Sequence, residues 1–220
     1  MTSNRKISNP LALAVLVHLY EKPRHPYELA TTMRERGKEK SIRLNYGSLY
    51  TVIEALERDG YIRNIETKRE GRRPVKTVYK ITKSGEGYMM YWMRDLVGTP
   101  EKEFLQFEAA LSLLPVLPPD EVIPLLENRL VLLKRVIDNF KDEKRLIAEI
   151  KLPRLFVIET EFYEEMTKAE YRFVEALVKD IKNDVDGIES AWTKMHKSVL
   201  GKRHPAHGTK RQNRLKGVRQ

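Results

Sequence analysis

At 220 residues with 41% apolar content the chain can fold as one or two domains with a real core, and no apolar run approaches the roughly 18 residues that span a bilayer. It contains no cysteine, which excludes disulfides and thiolate metal sites. The net charge of +10 is segregated: residues 1–98 hold 19 Lys and Arg against 11 Asp and Glu, residues 99–200 hold 15 against 20, and residues 201–220 hold seven against none.

A cationic head and tail around an acidic middle is the pattern of a polyanion-binding module joined to an assembly module. The first ten residues lack the apolar stretch of a secretory signal, and the expected location is the cytoplasm. Asn9-Pro10 then starts a first helix, with a capping side chain and a proline preset for the first turn. Leu13, Leu16, Val17 and Tyr20 follow at helical spacing, and Lys22-Pro23 ends the element. A second helix begins at Pro26, turns Leu29, Ala30 and Met33 inward and stops near Gly37.

The third helix is capped by Asn45 and closed by Asp59-Gly60. Leu49, Val52, Ile53 and Leu56 fall at i, i+3, i+4, i+7 and form its buried stripe. Tyr46, Ser48, Tyr50 and Thr51 occupy the other side, where hydroxyl groups suit phosphates and base edges. Two short strands follow, YIRNIE and VKTVYKIT, joined by the basic loop TKREGRRP. Helix plus basic hairpin is the arrangement of a winged helix-turn-helix. Lys68, Arg69, Arg72, Arg73 and Lys76 of the wing are candidates for neutralising phosphates or entering a minor groove. His25 and Tyr27, opening the second helix, are candidates for backbone phosphate contact. Glu54 and Glu57 repel phosphate, so only the first half of the third helix should approach a duplex.

Thr82 or Ser84 caps a fourth helix running to about Val97, and Gly98-Thr99-Pro100 marks the expected boundary between a domain at 1–98 and a second at 99–200. The second domain reads as all helical. Thr99-Pro100 is expected to start a helix bearing Phe104, Phe107, Leu111 and Leu114. Ile123, Leu126, Leu130, Leu133, Ile137 and Phe140 then keep a heptad pattern. After Pro153 a further helix carries Leu155, Ile158, Phe162, Met166, Ala169, Phe173, Leu177 and Ile181, and a shorter one carries Ile188, Trp192, Met195 and Val199. Two long helices with seams this narrow cannot close a core alone, so Ile123, Leu126, Leu130, Leu133, Ile137, Phe140, Phe162, Met166 and Phe173 are expected at the interface of a homodimer. Residues 201–220 read as a basic disordered tail.

The residues Leu49-Tyr50, Leu56-Glu57 with Gly60, and Tyr79 with Thr82 and Gly85 resemble the PadR family of transcriptional regulators, as does His25-Pro26-Tyr27-Glu28-Leu29 at the start of the second helix. The wing departs from that family's pattern, with Arg72-Arg73-Pro74-Val75-Lys76 in place of Gly-Pro-x-Arg-Lys. The resemblance covers residues 10–98 in detail and the remainder in type. It implies a dimeric regulator of double-stranded DNA, with a helical carboxy-terminal dimerisation domain. It further implies a repressor on a pseudo-palindromic operator, relieved by a small-molecule or protein signal. Tyr88 and Trp92 correspond to the helix whose aromatic residue lines a ligand pore in some such dimers; the ordinary alternative is a packed helix interface. An architectural DNA binder with little sequence preference is the competing reading, motivated by the basic tail. No HExxH spacing, phosphate-binding glycine loop or nucleophile elbow is present, so neither a metal, a cofactor nor an enzyme is expected.

Overall fold

The computed structural model describes residues 9–68 and 76–200. These fall into two compact units that divide between Glu103 and Phe104. In the first, helix α1 (Pro10–Glu21) starts where the Asn9 side chain accepts from the Leu11 amide at 2.9 Å. Every residue from Leu11 to Leu16 is buried, so α1 is the central pillar rather than an amphipathic surface helix. Helix α2 (Pro26–Glu35) turns Leu29, Ala30 and Met33 into the core, and α3 (Tyr46–Arg58) turns Leu49, Val52, Ile53 and Leu56, the stripe read from the spacing. Each fully buried side chain of this size contributes about 1.5–3 kcal/mol relative to exposure.

Strands β1 (Ile62–Lys68) and β2 (Lys76–Ile81) pair antiparallel, with Ile62 opposite Ile81 and Lys68 opposite Lys76. The register slips between Asn64 and Glu66, a bulge that sharpens the twist of the hairpin. Gly60 takes φ +76° in the turn between α3 and β1, a conformation that favours glycine. A third extended contact borders the wing. The Arg24 amide donates to the Tyr79 carbonyl at 3.1 Å, and the Tyr79 amide donates to the Arg24 carbonyl at 3.0 Å. The buried Arg24 guanidinium donates to the His18 carbonyl, to Thr32 Oγ1 and to the Glu21 carboxylate. The end of α1, the second half of α2 and the wing are thus joined through one residue, its side chain holding the two helices and its backbone the wing.

Thr82 caps α4 (Lys83–Gly98), its hydroxyl accepting from the Gly85 amide at 3.1 Å. A Cβ on Gly85 would lie 2.0 Å from the Tyr61 carbonyl oxygen, so glycine lets α4 seat directly on the backbone entering β1. Met89 and Trp92 complete the core, and Tyr88 stacks on Tyr61 with ring centroids 4.3 Å apart.

The second unit contains α5 (Gln106–Ser112), α6 (Pro119–Glu149), α7 (Ile158–Lys182) and α8 (Ile188–Met195). The helix expected from Thr99-Pro100 is corrected: residues 100–105 are not helical and α5 begins only at Gln106. The cap signal had no apolar residue behind it before Phe104, and Phe107 is the first side chain on the second core. Its ring also lies 3.6 Å beneath the Arg129 guanidinium.

Helices α6 and α7 run antiparallel, tied by Arg129–Glu170, Lys144–Glu164 and Lys182–Glu127. Their seam differs from the one the apolar pattern selected. On α7 the chain buries Glu164, Thr167, Val174, Val178 and Ile181, whereas Phe162, Met166 and Phe173 stand 68%, 46% and 52% exposed. On α6, Leu126 and Phe140 are buried within the chain, and Ile123 and Leu130 pack on its own second core. Leu133 and Ile137 are half-buried. The expectation that the α6 heptad is reserved for a partner is therefore corrected: Leu126 and Phe140 serve the intramolecular core.

Candidate nucleic-acid interface

Helix α3 carries the candidate reading face because its inner stripe is locked in the core and its first turn is held open by a cap. The Asn45 side chain accepts from the Ser48 amide at 2.7 Å. Tyr46 and Tyr50, one turn apart, are 41% and 47% exposed, and Tyr27 at the start of α2 is 60% exposed. Ser48 is half-buried between them. The Thr51 hydroxyl donates to the Gly47 carbonyl at 3.0 Å, leaving its oxygen as an acceptor. Glu54 is exposed one turn past Tyr50, so the acidic half of α3 begins where the tyrosines end.

His25 does a structural job that the sequence did not reveal. Its Nδ1 accepts from the Tyr27 amide at 3.1 Å, and its own amide donates to the Glu28 carboxylate at 3.2 Å, so it caps α2 reciprocally with Glu28. Only its other ring nitrogen is left for a ligand. Sequence reasoning also missed Arg34. This residue follows Tyr27 and Thr31 at i+7 and i+3, so the three share one side of α2; the available signal was that stripe. The Arg34 guanidinium donates to the Tyr46 hydroxyl at 2.8 Å and lies 4.8 Å from the centre of its ring.

The wing's paired strands place Lys68 opposite Lys76, the last pair among the described residues. Arg69, Arg72 and Arg73 lie outside the described residues, as do the tail residues 201–220. Tyr88 and Trp92, expected near a ligand pocket, are engaged in packing: Trp92 is 3% exposed in the first core and Tyr88 is sandwiched against Tyr61. Two titratable groups of this unit are electrostatically set. Glu21 is held below the usual carboxylate range chiefly by its bond to Arg36, and burial pushes the Tyr79 phenol up, with Glu57 adding to the shift. Among the described residues no cluster of His, Asp and Glu could hold a metal ion, and no helix is long and apolar enough to cross a membrane.

Three packed helices, a tyrosine-bearing third helix and a two-stranded hairpin define a winged helix-turn-helix unit, joined to a second, helical unit. Residues 15–90 match the family model described as the transcriptional regulator PadR-like family. That match lies within the first unit, and the fold is that of PadR-like winged-helix proteins with an additional helical carboxy-terminal region. Bacillus subtilis PadR, solved in complex with operator DNA, is 17% identical with a TM-score of 0.57, over 78% of this chain and 98% of that one. The same protein in complex with p-coumaric acid gives 17% identity and a TM-score of 0.58 over the same shares. The PadR-like transcriptional regulator BC1756 from Bacillus cereus is 15% identical with a TM-score of 0.51, over 79% of this chain and 99% of that one. No curated protein matches the sequence.

Proposed function

We propose that this protein is a homodimeric, sequence-specific DNA-binding regulator of transcription that represses from a pseudo-palindromic operator. The observation that carries this reading is the first half of α3. Tyr46 and Tyr50 project from a helix whose opposite stripe is fixed in the core, within a stretch, residues 1–98, where cations outnumber anions by eight. A face that is exposed, hydroxyl-rich and rigidly backed is what a major groove requires. Tyr27, Ser48, Thr51 and the free nitrogen of His25 would add backbone contacts. Lys68, Arg69, Arg72, Arg73 and Lys76 would hold the flanking phosphates. The exposed stripe Phe162, Met166 and Phe173 would meet a second copy, and two-fold symmetry then sets half-sites about one helical turn apart. Bacillus subtilis PadR, seen with operator DNA and with p-coumaric acid, supports both the DNA target and a small-molecule signal. Such a protein works on the nucleoid in the cytoplasm.

The test is a gel-shift titration against genomic fragments with excess bulk DNA. Specific complexes should survive the competitor, and replacing Tyr50 by Ala should change which fragments are preferred. Replacing Arg72 and Arg73 by Ala should weaken every complex and lower the salt slope by about one unit per lost phosphate contact. The basic tail favours a second reading, an architectural binder. Equal loss of all complexes to bulk DNA would select it.

A further inference from the structure

We infer that Arg34 and Tyr46 together form a two-donor site for a single backbone phosphate of duplex DNA, a role for Arg34 that neither its helix position nor its charge alone assigns. The inference rests on the DNA-binding reading and adds to it a particular ligand atom. Its basis is the direction of one hydrogen bond. Arg34 Nη1 donates to the Tyr46 phenol oxygen at 2.8 Å. A phenol that accepts from a guanidinium has its own hydrogen left to give. That hydrogen calls for an acceptor, which a base amino group is not. The guanidinium offers five N–H groups in a fixed fork, of which this bond uses one. Its remaining donors and the phenol hydrogen thus stand side by side, and a phosphate oxygen pair is the acceptor-rich group that matches them.

Placement agrees with that chemistry. Arg34 projects from the exposed side of α2 and Tyr46 from the first turn of α3, the junction that lies along the backbone when a helix-turn-helix docks. The guanidinium beside the ring, 4.8 Å from its centre, fixes the phenol's orientation before DNA arrives. One anion opposes the site: Glu39 stands 3.8 Å from Arg34 Nε, close enough to hold the guanidinium and too far for a strong bond. The arriving phosphate competes with this carboxylate, so Glu39 weakens the site it helps to shape.

The experiment is a double-mutant cycle on the full chain, bound to a duplex that the unaltered protein selects. Arg34→Ala should weaken binding about tenfold and lower the salt slope by about one unit. Tyr46→Phe should weaken binding several-fold when Arg34 is present and hardly at all when it is absent. Glu39→Gln should tighten binding, which no loss of fold could mimic. A methylphosphonate scan should find one linkage at which the unaltered protein and Arg34→Ala bind alike. Inorganic phosphate at matched ionic strength should not displace the duplex; if it does, the site is a general anion site and the inference is overturned. Additive effects of Arg34→Ala and Tyr46→Phe, or an unchanged slope, would overturn it while leaving DNA binding intact. Failure of the unaltered protein to bind any duplex would sink the underlying reading as well.

Discussion

Single atoms decide several features of this molecule. Gly85 is the sharpest case, because an added methyl would meet the Tyr61 carbonyl at 2.0 Å and force α4 off the hairpin base. Gly85→Ala should cost about 1–3 kcal/mol in denaturant unfolding through overpacking. Gly87→Ala, two residues on with nothing within 4 Å, should be stabilising by about 0.5–1 kcal/mol as an ordinary helix substitution. Equal responses would remove steric seating as the reason for glycine. His18 is the second case. Its Nδ1 lies 2.8 Å from the Ala14 carbonyl, its Nε2 is buried without a partner among the described residues, and burial lowers its pKa from 6.5. The unfolded chain therefore takes up this proton first, and stability falls as pH drops below 6.5 towards the folded value. Melting curves between about pH 7 and pH 5 should show that loss, and His18→Leu should flatten it. An unaltered pH dependence in the variant would assign the loss to other groups.

At the scale of elements, local rules were legible wherever the chain states them locally. Asn9-Pro10, Asn45 and Thr82 each cap the helix that the sequence places after them, and the α3 stripe is buried as its spacing requires. What was illegible depends on pairing at a distance. The Arg24–Tyr79 bridge is a single contact across 55 positions, with no period to announce it. The α7 seam was hidden because two of its buried positions hold Glu164 and Thr167, which a pattern of apolar residues assigns to solvent. Glu164 is tolerable there since its carboxylate pairs with Lys144 and Lys168, and these bonds hold it below the usual carboxylate range. Glu164→Ala takes this anion from both lysines, leaving Lys168 with Glu165 alone, and should lower stability by about 1–3 kcal/mol in thermal or denaturant melts. Glu164→Met, which fills the volume, should cost less than Glu164→Ala. The reverse order would mean that the carboxylate itself dominates. The Arg34–Tyr46 pair belongs here too: each residue was readable as a surface group, and their meeting was not.

For the whole molecule, the exposed side of α7 is the feature that most needs a partner. Phe162, Met166 and Phe173 lie on one stripe while the opposite stripe is spent on α6, and an uncovered apolar stripe of this kind marks an interface. Replacing Phe162 and Met166 together by Lys should convert the protein to monomers by sedimentation while leaving its helical spectrum unchanged; persistent dimers would move the interface elsewhere. A monomer should also bind operator more weakly, since the second half-site then costs a second association. The central claim is that two such cationic heads read paired DNA sequences. Its most direct test is sequencing of the genomic fragments that the purified protein retains at about 0.15 M salt. The retained pool should converge on an inverted repeat with centres about 10 base pairs apart. A pool indistinguishable in sequence from the input would contradict it.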